Sequence, residues 1–188
     1  MIYKLGCDYE NTALLSIDGV ELLKKMPALR PKFFATPKQK EWVAPEASFY
    51  YSENYKGNIK VTPDVTVWTT GVLAFSPKAY DVFHELLANA GEFLPVSVDD
   101  ETHYLFNTLY IIPDKAIDKS KAVEVIDTGV HFGQTNVAFD ESFLGPENIF
   151  VFKSNTNKLL YSFCTDEFKN IYDSNNFKGI IFEPVDVK

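Results

Sequence analysis

Two short runs of carboxylates, Asp99-Asp100-Glu101 and Asp140-Glu141, are the residue patterns in this chain closest to acid–base chemistry. A glycosidase sets two carboxylates across a cleft, one as acid and one as base or nucleophile. Adjacent residues do not build such a pair, because neighbours on a strand point to opposite faces. The plainer reading of both runs is a solvated turn. Asp99-Asp100-Glu101 also lacks the alternating Asp/Asn-Gly spacing of a calcium loop. A third use is recognition, in which exposed carboxylates meet the Lys and Arg side chains of a partner. That use is the preferred functional reading of Asp99, Asp100 and Glu101.

Nucleophilic chemistry finds no support. A nucleophile needs a base, and the base needs an orienting group. The sequence holds no GxSxG elbow, no glycine-rich phosphate loop and no HExxH, and Ser76 is better explained as a helix cap. His84, His103 and His131 stand alone, and Cys7 and Cys164 lie far apart with no CxxC partner. Two free thiols in a reducing cytosol is the expectation. The chain reads as a non-enzyme with no cofactor and no metal.

The net charge of −8 is unevenly spread. Residues 1–60 carry +2 and residues 61–188 carry −10. Nucleic acid and anionic membrane surfaces need basic patches, and the one arginine is Arg30. Both partners are therefore disfavoured, whereas a basic protein suits the acidic excess. The N-terminus lacks the basic start and long apolar run of a signal peptide, and no apolar stretch nears the ~20 residues of a membrane helix. A cytoplasmic chain is expected.

The elements that must position these groups read as follows. Strands are expected at Met1–Leu5, Leu14–Ile17, Ser48–Tyr51, Val65–Trp68 and Gly71–Phe75. Asp18 caps a short helix over Gly19–Met26, with Lys24 and Lys25 in its last turn. Ser76 and Pro77 open a second helix, whose apolar face is Tyr80, Phe83, Leu86, Leu87 and Ala90, with Gly91 as its terminator. Phe93–Val98 holds Pro95, which points to an edge strand or a start at Val96. Further strands are expected at His103–Ile112, Ala122–Ile126, Val137–Phe139, Ile149–Phe152, Leu159–Phe163 and Gly179–Val185. The polar loop Lys153–Lys158 joins two of them. Thr165 caps a third helix with Phe168, Ile171 and Tyr172 inward. Strands without βαβ alternation predict an α+β fold, a largely antiparallel mixed sheet with two to three helices packed on it.

Several segments, in order, resemble a known family: Gly71–Ser76 (GVLAFS), Glu92–Val96 (EFLPV), Tyr104–Asn107 (YLFN) and Ala116–Ser120 (AIDKS). Later come Ile149–Phe152 (IFVF), Cys164–Phe168 (CTDEF) and Lys178–Val185 (KGIIFEPV). The series resembles a large bacterial immunity-protein family of polymorphic toxin systems, long described only as a domain of unknown function. It spans Val65–Val185. The resemblance implies one domain over 1–188, with a more variable part at about 1–62 and a family-like part at about 63–188. It implies an immunity protein that neutralises a cognate toxin encoded by a neighbouring gene, in systems that often use contact-dependent or type VI secretion. The family has no catalytic motif to carry over.

The residues and the resemblance together place toxin contacts at Trp42, Tyr50, Tyr51 and Tyr55, and at the Asp99–Glu101 turn. Aromatic anchors dominate interface energies. The aromatic stretch also reads as an edge strand and loops packed over a core. Two rivals stay open: a carboxylate-dependent hydrolase using Asp99, Asp100 or Asp140, and a small-molecule-binding adaptor with a pocket lined by Phe and Tyr.

Overall fold

Ser76 and Pro77 mark the clearest boundary. In a computed structural model, the Ser76 hydroxyl accepts the amide of Ala79 at 3.2 Å, with Pro77 as the first helical residue. The structure describes residues 1–27, 33–118, 120, 123–127, 130–135, 138–153 and 159–185, with only the backbone of 123–127, 130–135, 152–153 and 159–160.

The elements, in chain order, are β1 (Ile2–Cys7), β2 (Leu14–Ile17), α1 (Gly19–Lys25), β3 (Glu46–Tyr50), β4 (Val65–Thr69), β5 (Val72–Phe75) and α2 (Pro77–Leu87). Then follow β6 (Gly91–Val98), β7 (Glu101–Thr108), β8 (Val123–Asp127), β9 (Val130–Thr135), β10 (Ile149–Lys153), β11 (Leu159–Thr165), α3 (Asp166–Ser174) and β12 (Ile180–Val185). Six strands form one sheet in the order β2-β3-β6-β7-β5-β4, four form another in the order β10-β11-β1-β12, and β8–β9 is a hairpin. Every pairing between named strands is antiparallel except β3 with β6, so the fold is α+β with a largely antiparallel arrangement.

The six-stranded sheet curls until its end strands β2 and β4 approach each other. Its concave side collects Leu15, Val72, Ala74, Leu94, Val96, Val98 and Leu105 into one core, with Phe33, Phe49 and Trp68 against it. The period-2 alternation sends Leu73, Phe75, Phe93 and Phe106 to the other side. There they meet α2, α3 and the four-stranded sheet, whose Leu5, Ile149, Cys164 and Ile180 face the same core. Phe83 of α2 sits at this junction. Its ring stacks on Phe168 of α3 at 4.5 Å and meets Phe75 of β5 edge-on at 5.8 Å. The far side of the four-stranded sheet is covered as well: Ile2, Phe150 and Phe163 pack on Ile112, Ala116 and Phe139.

Several local expectations change. Helix α2 ends at Leu87, and Gly91 opens β6 instead of terminating the helix. A Cβ on Gly91 would lie 2.2 Å from the Asn107 carbonyl oxygen, so glycine is there for close strand approach. Pro95 lies inside β6, in the interior of the sheet. It is tolerated because β3 reaches only Ser97 and Val98, and the Pro95 carbonyl points away from β7 to accept the Trp42 indole. Its missing N–H thus costs no ladder bond. Thr165 precedes α3, but its hydroxyl bonds Asn148 and makes no cap. Of the strand expected at Val137–Phe139, Phe139 makes an isolated bridge to Ile117, and β9 at Val130–Thr135 is a strand that was not expected. Val137 and loop residues 154–158 lie outside the described residues. Cys7 and Cys164 are free thiols in neighbouring strands; on β1 the partner of Cys164 is Tyr3.

The irregular segment before β3 is pinned by a cross-strand pair. Glu92 and Asn107 lie opposite each other on β6 and β7. The Glu92 carboxylate accepts the Lys38 and Gln39 amides, the latter at 3.2 Å, and the Asn107 side-chain amide at 2.8 Å. Asn107 also donates to the Thr36 carbonyl at 2.9 Å.

Phe83→Ala should lower stability by about 3–5 kcal/mol, read as a fall in the denaturation midpoint, because it empties the junction between both sheets. Glu92→Ala leaves three donors without their acceptor and should cost about 1–3 kcal/mol. It should also speed tryptic cleavage after Lys38 and Lys40, and an unchanged cleavage rate would refute the pinning role.

Candidate functional site

The acidic turn is a two-residue hairpin connection. Val98 pairs with Glu101, and Asp99 and Asp100 adopt φ of 49° and 65°. Two positive φ angles in succession define a type I′ turn, the form whose twist matches a β-ribbon. Aspartate tolerates this region because its short side chain can bond the local backbone. The three side chains are exposed. The chain therefore has a backbone reason for aspartate here, and the turn still presents three carboxylates to solvent.

Parallel pairing of Ala47 with Val98 carries β3 onward past this turn. Phe49 consequently reaches His103, their rings 5.6 Å apart and inclined at 68°. His103 is only 8% exposed. Burial pushes its imidazole pKa down, outweighing the attraction of Glu101, whose carboxylate lies 4.0 Å from Nδ1. That ring packs as an aromatic against Phe49.

The four aromatic candidates divide among three settings. Trp42 is half-buried against Leu22 and Met26 of the first helix and near Phe33, with its indole N–H on the Pro95 carbonyl at 2.7 Å. It ties α1 to β6. Tyr51 and Tyr55 meet edge-to-face at 4.7 Å, and the Tyr55 hydroxyl bonds the Ile59 carbonyl. Those two rings brace their own loop beside Ile59, which is 78% exposed. Tyr50, at 49% exposure, faces a cleft.

This cleft, of about 340 Å³, opens where the two end strands of the curled sheet approach and β1 ends. Cys7, Leu14, Leu15 and Val67 line it, with the rings of Tyr9, Tyr50 and Trp68. Ser52 and Asn54 supply its polar groups. Leu15 also belongs to the concave core, so the cleft rests directly on the sheet interior. Its outer wall is held in place: the Ser52 hydroxyl donates to the Tyr9 carbonyl at 3.1 Å and the Lys56 amide to the Glu10 carbonyl at 2.7 Å. Lys56 Nζ also meets the Glu10 carboxylate at 2.7 Å. Cys7 Sγ lies 3.2 Å from the Thr66 hydroxyl, and burial pushes its thiol pKa up.

Asp140 lies elsewhere. It caps the short 3-10 turn Glu141–Phe143, accepting from the Ser142 amide at 3.0 Å and the Ser142 hydroxyl at 2.6 Å. That turn belongs to the cover of the four-stranded sheet, so the fold does not bring Asp140 to Asp99 or Asp100. Among the described residues no three His, Cys, Asp or Glu side chains converge as a metal site would need. No helix of the described residues is long and apolar enough to cross a membrane.

Sequence reading singled out Tyr50 but missed Tyr9 and Trp68. Three distant segments meet at the cleft, and no local pattern announces that meeting. Trp68 reads simply as an apolar strand residue, and Tyr9 as part of a turn.

No curated protein matches the chain in sequence. The model of the immunity protein family Imm11 matches residues 5–187, taking in β1 through β12 and thus the N-terminal third as well. A match over nearly the whole chain makes the protein a member of the Imm11 immunity protein family.

Proposed function

We propose that this protein protects the cell that makes it by binding a cognate antibacterial toxin and occluding it stoichiometrically. Membership of an immunity family is the observation that carries this reading. The toxin is the product of a neighbouring gene, delivered by a contact-dependent or type VI secretion route and met in the cytoplasm. The acidic excess favours a toxin with a basic surface, such as a nuclease. The protein acts without turnover. Its carboxylate runs stand on different parts of the fold, Asp99–Glu101 on the β6–β7 turn and Asp140–Glu141 on the short 3-10 turn before β10.

Inhibition of this kind needs an interface of roughly 1,600 Å² with a few buried anchors and matching charge. The exposed Asp99–Glu101 turn supplies charge, and Tyr50, Tyr51 and Tyr55 supply rings on the same sheet and its adjoining loop.

Co-expression with the C-terminal domain of the neighbouring gene product is expected to yield a one-to-one complex and to restore growth. Protection should scale with the molar ratio of the two proteins; full protection at a small fraction of one equivalent would point to catalysis and overturn the reading. Asp99→Asn/Asp100→Asn/Glu101→Gln keeps residues that accept positive φ in the turn. This triple variant should fold normally, associate more slowly with the toxin and depend less on salt. Unchanged association kinetics would remove the turn from the interface.

A further inference from the structure

Helix α2 meets β7 through a flank of rings, and those rings stay partly exposed. Tyr80 and His84, one helical turn apart, stack at 5.1 Å with their planes inclined by 22°. Tyr80 in turn lies flat on Tyr104 of β7, the ring centroids 3.7 Å apart and the planes inclined by 14°. Phe93 of β6 meets Tyr80 edge-on at 5.0 Å. The Tyr80 carbonyl can only accept, so His84 Nδ1, 3.1 Å away, carries the hydrogen between them and the imidazole is held in place. The three rings thus form one fixed pile. None of them is fully buried, and the His84 side chain at its end is 42% exposed.

Carboxylates flank the pile. Asp81 and Glu85 follow Tyr80 and His84 in sequence on α2, and both are exposed. Glu85 lies 4.0 Å from His84 Nε2. Asp81 faces Tyr104: burial, then Tyr80, then Asp81 push the pKa of that hydroxyl up. Along β7, Thr102 shares the face of Tyr104 and leads to the Asp99–Glu101 turn, roughly 10 Å away at the rise of a strand. Strands β6 and β7 and the turn between them contain no lysine or arginine. The single lysine of α2, Lys78, has its ammonium over the Phe177 ring at 5.0 Å. Among the described residues, none of Asp81, Glu85, Asp99, Asp100 and Glu101 is paired with a lysine or arginine.

Rings beside unpaired carboxylates select one kind of partner group. A guanidinium is planar, so it stacks on an aromatic face while its edge offers paired N–H donors to a carboxylate. An acidic partner would instead meet like charge. From His84 to the turn the surface runs roughly 20 Å, within the breadth of one side of a standard interface. The pile is formed before any partner arrives, so little ordering entropy remains to be lost on binding.

We propose that the His84–Tyr80–Tyr104 pile, with Asp81 and Glu85, is the central contact surface for the toxin and receives a basic, arginine-bearing segment of it. The assignment rests on the immunity reading above and names where the toxin is held. The Asp99–Glu101 turn stands at the rim of the same surface and steers the approach. The pile and its two helix carboxylates supply the contacts that slow release.

The test uses the full chain and the neighbouring gene's C-terminal toxin domain in an inactive form. Asp81→Lys and Glu85→Lys, both at exposed helix positions, should each weaken binding by about tenfold or more with unchanged melting temperature. Glu167→Lys makes the same charge change on α3, at another exposed position, and should leave the affinity within about twofold. Diethylpyrocarbonate labelling of His84, followed by peptide mass spectrometry, reports on the pile without a mutation. Saturating toxin should slow that labelling by about tenfold or more, in proportion to the fraction bound. A stable complex in which His84 reacts at its free rate and both α2 variants bind as tightly as the parent overturns the surface assignment and leaves immunity standing. Equal losses in Glu167→Lys and in the α2 variants would mean a general effect of net charge, and would overturn the assignment in the same way. Failure of the parent chain to bind or protect overturns both readings.

Discussion

Strand β5 is buried on both faces, and most of the architecture follows from that constraint. Val72, Leu73, Ala74 and Phe75 are each no more than 5% exposed. Two of them enter the concave core of the curled sheet and two enter the core shared with the helices and the second sheet. A strand in that position can carry no polar side chain and leave no backbone group unpaired. Both its edges are accordingly occupied, by β4 and β7. The aromatic excess serves this arrangement. Phe75, Phe83, Phe106 and Phe168 fill the shared core with rings whose edge-to-face and stacked contacts fix how α2 and α3 lie on it.

With the two cores set in this way, the remaining chain is free to build surface. The end strands β2 and β4 approach without joining the sheet into a closed ring of hydrogen-bonded strands. Their meeting place becomes the cleft. The proline-containing stretch that leads to β3 would otherwise have no regular partner, and it is tied down by Glu92, Asn107 and the Trp42 indole. Polar side chains thus take over the role that ladder bonds play elsewhere. The acidic turn belongs to the rigid β6–β7 ribbon, so its carboxylates are presented at a defined place.

Much of this was legible locally. Asp18, Ser76 and Pro77 mark helix starts because a cap is a contact between near neighbours, and the structure places all three as read. Strands β1, β5, β6 and β12 were equally plain as apolar runs. What failed was every feature decided by a distant partner. Gly91 looked like a helix terminator because its true reason, the Asn107 carbonyl, lies on the next strand. Pro95 suggested an edge, and the sheet supplies one only locally, where β3 stops short. Thr165 has the type of a cap, yet Asn148 competes for its hydroxyl. The candidate site divides in the same way. Asp99 and Asp100 were readable as a turn, whereas the cleft needed residues 7–15, 50–54 and 67–68 to be brought together in three dimensions. The aromatic stretch was visible, but its division into a packing residue, a loop brace and a cleft-facing ring was not.

The short parallel contact between β3 and β6 has a further consequence. Only Glu46–Ser97 and Ala47–Val98 join the β2–β3 ribbon to the rest of its sheet through the ladder. The ribbon can therefore open as a unit while the Phe83 core stays intact, a sub-global fluctuation of lower free energy than unfolding. Amide hydrogens of Leu15 and Phe49 would then exchange ahead of those in β5 and β7.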